Sequence, residues 1–93
     1  MNQNEREDQL LRDYLLGTLE QSEQQALEAR LMTDDDLFGL ISIVEDELID
    51  AYLGNKLSER ERAGFESHFL STPERQRKLS FAETLKTYVN LKS

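Results

Sequence analysis

Between Leu37 and Leu53 the apolar residues Leu37, Leu40, Ile41, Val44, Leu48, Ala51 and Tyr52 recur with the period of an α-helix. That spacing gathers them on one helical face and scatters them over both faces of a strand. A helix this long and this apolar on one side must be covered, so the rest of a 93-residue chain has to be arranged around it. Thr33, with Asp36 three residues on, has the form of a capping box at its start. Gly54 and Asn55 follow its end, and either can take the left-handed conformation of a helix C-cap.

The flanking segments carry weaker versions of the same pattern. Leu10, Leu11, Tyr14 and Leu15 form a stripe stopped by Gly17, and Ala26, Leu27 and Leu31 form a second. Ser58-Glu59-Arg60-Glu61 is another capping box, opening a helix whose inner side holds Phe65 and Phe69. Thr72-Pro73-Glu74 starts a fifth helix: Thr72 suits the N-cap, and Pro73 suits the first helical position, where no N–H is needed. Leu79, Ala82, Leu85 and Val89 continue it as its expected buried stripe. The expected fold is all-α, a small bundle of helices near 5–16, 21–32, 34–53, 58–70 and 73–90.

Sliding the chain on itself by 38 positions sets Tyr14-Leu15 on Tyr52-Leu53, Leu19 on Leu57, Glu23 on Glu61, Leu27 on Phe65, Glu28 on Glu66 and Leu31 on Phe69. This predicts two helical hairpin repeats, about 10–44 and 45–89, sharing the central helix within one domain.

Composition narrows the function. A chain of this length buries only about 60 to 65% of its unfolded surface, so the core is small. It has no cysteine, which removes disulfides, thiolate ligands and thiol redox chemistry. One histidine, no phosphate loop and no paired nucleophile and base leave no catalytic constellation, and no cofactor is expected. No apolar run is long enough to span a membrane. The acidic start, "MNQNEREDQLLRD", has no secretory core, so the cytoplasm is the expected compartment. Residues 1–54 carry 14 acidic and 3 basic side chains, residues 55–93 carry 5 and 8, and the whole is −8. The acidic half repels nucleic acid and favours basic partners. Asp34-Asp35-Asp36 is explained by the dipole at a helix start, and Glu45, Asp46, Glu47 and Asp50 are expected around the solvated side of the central helix. The run Arg75, Arg77 and Lys78 is interrupted by acids on its own helix and has no interleaved aromatic, so nucleic-acid binding is not expected.

Residues 45–85 resemble a known family. Tyr52-Leu53-Gly54-Asn55-Lys56-Leu57, then Ser58 to Glu61, then His68, follow the order of the zinc-binding anti-sigma domains of bacteria, which sequester extracytoplasmic-function sigma factors. In that pattern His is followed by Cys-x2-Cys at the next helix start; here Thr72 and Arg75 stand at the cysteine positions. The resemblance implies a cytoplasmic anti-sigma-like regulator. The lost cysteines imply that the corner His68, Thr72 and Arg75 binds no metal and is held by packing and capping. Leu16, Phe38, Ile43, Phe81 and Tyr88 lie off the main stripes and are the candidate protein-contact residues. The competing expectation is an interaction or oligomerisation module of a longer membrane-tethered protein, including a homodimer, with no sigma partner.

Overall fold

The computed structural model describes residues 3–92, with side chains described for residues 6–89 and 91. Five α-helices follow one another: α1 Gln3–Leu15, α2 Gln21–Thr33, α3 Asp35–Leu53, α4 Glu59–Ser67 and α5 Pro73–Lys92. A 3-10 turn, Phe69–Ser71, joins the last two, and no strand occurs among the described residues. The fold is therefore all-α, and α3 is its axis, since α1, α2 and α5 all pack on it.

The core is Leu11, Leu15, Leu16, Leu27, Leu37, Val44, Leu48, Ile49, Phe65 and Phe69, with no polar or charged side chain among them. Most of these lie on the expected stripes. Ile49 does not, and it is buried because α5 covers a second side of α3. Ala26 was expected inside and is exposed.

The start of α3 differs in detail from the expected Thr33–Asp36 box. Thr33 ends α2, its hydroxyl turned back towards the carbonyls of Ala29 and Arg30. Asp34 is the N-cap, its carboxylate accepting from the Leu37 N–H at 3.0 Å. The same Asp34 donates its N–H to the Arg30 carbonyl, so one extended residue closes α2 and opens α3. At the start of α4 the Ser58–Glu61 box forms as expected: Glu61 N–H donates to Ser58 Oγ at 3.1 Å and Ser58 N–H to Glu61 Oε1 at 2.9 Å.

The two halves repeat at the level of backbone turns. Helix α1 ends at Leu15 and α3 at Leu53, and α2 starts at Gln21 and α4 at Glu59, each pair 38 positions apart. Thr18 N–H donates to Asp13 O and Gly17 N–H to Tyr14 O; Lys56 N–H donates to Ala51 O and Asn55 N–H to Tyr52 O. Both ends are thus Schellman motifs, with Gly17 (φ 73°) and Asn55 (φ 58°) as the left-handed residues. The likeness stops further on. Helix α2 runs unbroken to Thr33, whereas the expected helix 58–70 breaks after Ser67 into the 3-10 turn. Pro73 then keeps the segment from running on into α5: the residue before a proline avoids the helical region, and Thr72 is extended at φ −106°, ψ 143°.

Candidate interaction surface

The corner that holds His68, Thr72 and Arg75 is flanked by a column of stacked groups. Phe65 of α4 lies between Tyr52 of α3, at 4.3 Å between ring centroids, and Phe69 of the 3-10 turn, at 4.5 Å, with the planes nearly parallel. The Arg62 guanidinium caps the Tyr52 end at 5.5 Å and Arg75 caps the Phe69 end at 5.2 Å. Guanidinium groups over ring faces and ring-on-ring contacts each add to the apolar burial they accompany. The column ties α3, α4 and α5 together.

Each of the three corner residues has its own task. Thr72 Oγ1 accepts from the Arg75 N–H at 3.3 Å, capping α5 as expected. Arg75 Nε donates to Glu45 Oε2 at 3.0 Å, linking α5 to α3. His68 is exposed, ends α4 through its backbone N–H to Gly64 O, and its ring fills the space that a Cβ on Gly17 would need. Zinc takes tetrahedral N and S ligands. The Thr72 hydroxyl is not a usual zinc ligand and the always-protonated Arg75 guanidinium has no lone pair to offer, and among the described residues no three His, Asp or Glu side chains come together to hold a metal ion.

Glu45 was expected on the solvated side of α3 and is not there. Its side chain is only 16% exposed and is clamped by Arg75 and by Lys78 Nζ at 3.0 Å, while Lys78 also reaches Asp46 Oδ1 at 3.0 Å. Burial alone would lower the Lys78 pKa, but its hydrogen bonds to Glu45 and Asp46 outweigh that and raise it. Two of the three residues of the basic run are therefore committed within the fold, leaving Arg77 exposed.

Of the five candidate contact residues, Phe38 (63% exposed), Ile43, Phe81 (70%) and Tyr88 lie at the surface. Leu16 does not: at 4% exposure it belongs to the core, because α4 crosses the end of α1 directly over it. The expected stripe of α5 also divides. Leu79 and Ala82 pack against the core, whereas Leu85 and Val89 are more than half exposed.

The exposed residues form two separate surfaces. One is the solvent face of α3, where helical spacing sets Asp35, Asp36, Asp46, Glu47 and Asp50 around the exposed Ile43; Phe38, five positions earlier and so about 140° round the helix, is exposed off this face. Here Glu47 has a raised pKa, first because of partial burial and then because Asp8 of α1 lies beside it. The second surface is a groove between α3 and α5, floored by Ile49, Leu53, Ala82, Leu85 and Val89 and walled by Phe81. Neither the groove nor the turn-in of Glu45 is legible in the sequence, since both depend on where α5 crosses α3. The i, i+4, i+8 spacing of Phe81, Leu85 and Val89 marks an apolar stripe in the sequence, but not whether α3 covers it.

No helix among the described residues is long and apolar enough to cross a membrane. In comparisons with family models, curated proteins and solved structures, the chain matches none.

Proposed function

We propose that this chain is a protein-binding regulatory module of the anti-sigma kind, working in the cytoplasm without metal, cofactor or catalysis of its own. It holds an extracytoplasmic-function sigma factor away from RNA polymerase and so lowers transcription. The observation that supports this reading is the solvent face of α3, with five carboxylates around an exposed isoleucine. Sigma factors present basic helices for DNA. An acidic face attracts such a helix over a distance and competes with DNA for it. The apolar anchor Ile43 then supplies affinity that charge alone does not. No contact of this surface with nucleic acid or membrane is proposed.

The test is transcription from a sigma-dependent promoter in a purified system, with the chain titrated against its sigma factor. Repression is expected at near-stoichiometric chain, weakened by added salt and reduced about tenfold or more by Ile43→Lys. Full transcription at large excess of the chain would sink the proposal.

A further inference from the structure

The groove between α3 and α5 has a property that the acidic face of α3 lacks: its two rims carry opposite charges. Asp46 and Asp50 stand on the α3 side, Lys78 and Lys86 on the α5 side. Lys78 is already paired with Asp46, whereas Asp50 and Lys86 make no ion pair among the described residues. A uniformly basic or acidic ligand helix would meet repulsion along one rim. A helix that is apolar along one stripe and basic along a single edge can set that edge against the Asp46–Asp50 rim and lay its apolar stripe, without charge, beside the lysine rim. Helix α5 is such a helix, with Phe81, Leu85 and Val89 exposed and Lys86 beside them.

We propose that the groove is occupied by α5 of a second copy of this chain, the two copies related by a twofold axis. The contacts Arg75–Glu45 and Lys78–Asp46 lie near the start of α5, and the groove continues past Ile49 and Leu53 to Leu85 and Val89, so α5 and α3 run side by side in the same direction. With the axis beside Ala82 and Leu85, the two α5 helices cross antiparallel. Lys86 of each copy then falls level with Asp50 of the other. The pairing is isologous, so each contact is made twice. It buries Phe81, Leu85 and Val89 against Ile49 and Leu53 of the second copy, and it explains why a helix of 20 residues, about 30 Å long, leaves its second half uncovered by its own chain. The inference does not rest on the sigma-factor reading, because it uses a different surface.

Sedimentation equilibrium of the purified chain alone tests it. The expected result is a concentration-dependent mass rising from 10.8 kDa towards twice that value. Leu85→Glu, at the centre of the contact, is expected to raise the dissociation constant about 30-fold or more. Lys86→Glu is expected to raise it about 5- to 10-fold, and adding Asp50→Lys to Lys86→Glu is expected to restore association. All three positions are exposed, and circular dichroism melts confirm that the variants remain folded. Ile43→Lys, on the other surface, is expected to leave the mass unchanged, so that loss of sigma binding and loss of self-association are read separately. A chain that stays monomeric up to about 1 mM, the weak end of transient association, overturns the proposal. So does a dimer indifferent to Leu85→Glu, a failure of the charge exchange to restore pairing, or a rise in mass only when some other protein is added.

Discussion

Gly64 of α4 rests directly on the carbonyl oxygen of Leu16 at the end of α1, so close that a Cβ on Gly64 would overlap that oxygen. Backbone cannot yield as a long side chain can, so Gly64→Ala has to push α4 away from α1. We expect a loss of about 1 to 3 kcal/mol, the usual cost of overpacking, despite the gain in helix propensity. Gly39 offers the control. It lies exposed on α3 with nothing within 4 Å of a Cβ. There Gly39→Ala is expected to stabilise by about 0.5 to 1 kcal/mol. Urea melts of the two variants should therefore move in opposite directions, and the same sign for both would remove the close-approach account of Gly64.

The paired helix ends give a second contrast. Gly17 and Asn55 hold equivalent left-handed positions, but the Asn55 side chain accepts an exposed hydrogen bond from Arg62 Nη1 at 3.2 Å, whereas a Cβ on Gly17 would stand 2.7 Å from the His68 ring. Asn55→Ala is expected to cost about 1 kcal/mol for the left-handed backbone, while Asn55→Gly loses only the exposed hydrogen bond from Arg62 that both variants give up. Gly17→Ala meets the same backbone cost and must displace the imidazole as well. Its loss should exceed that of Asn55→Ala in thermal melts. The excess should shrink when Gly17→Ala is combined with His68→Ala.

How much of this was readable beforehand depended on the range of the interaction. The Ser58–Glu61 box, the Thr72 cap with Pro73 and the stop at Gly17 are local, set within a few residues, and each is found where the sequence places it. The long periodic stripe of α3 is legible for the same reason. The inward turn of Glu45, the burial of Leu16 and the contact of Gly64 with Leu16 depend on how helices cross, and helical spacing says nothing about crossing points. At the candidate surface, Phe38, Ile43, Phe81 and Tyr88 could be read as off-stripe residues, but Leu16 looks the same on a helical wheel until α4 is laid over it.

The stacked corner should rank its own residues. Phe69 is fully buried between Phe65 and Arg75, so Phe69→Ala is expected to cost about 3 to 5 kcal/mol through the cavity it leaves. Arg75→Ala removes a partly buried ion pair and a ring contact but leaves Lys78 on Glu45, for a loss of about 1 to 2 kcal/mol. Thr72→Ala should cost about 1 kcal/mol, the worth of an N-cap. His68→Ala should cost least, since its ring is exposed and its capping bonds are made by its backbone. A chelator is expected to leave the melting temperature of the unaltered protein unchanged. Unfolding on chelation, or a His68 loss as large as that of Phe69, would mean that the stack does not hold this corner.

Two glutamates should impose opposite pH dependences on either side of the ordinary carboxylate value of 4.5. Glu61 has a lowered pKa, above all because the Ser58 N–H donates to its carboxylate, with Arg12 at 3.6 Å adding to the effect against partial burial. Its stabilising contribution is complete above the ordinary value of 4.5 and is lost as pH falls through the lower folded value. Glu47 has a raised pKa, first from partial burial and then from Asp8. Its folded form prefers the proton, so that preference stabilises the fold below 4.5 and disappears as pH rises through the raised value. At neutral pH, therefore, Glu47→Gln should increase stability, and the gain should vanish near about pH 3. Glu61→Gln keeps an oxygen for Ser58 but loses the charge, so it should decrease stability at neutral pH and flatten the acid limb of the profile. Urea melts between about pH 3 and 7 on the parent and both variants read these slopes directly. Parallel profiles for all three proteins would mean that neither carboxylate is tuned by the neighbours assigned to it.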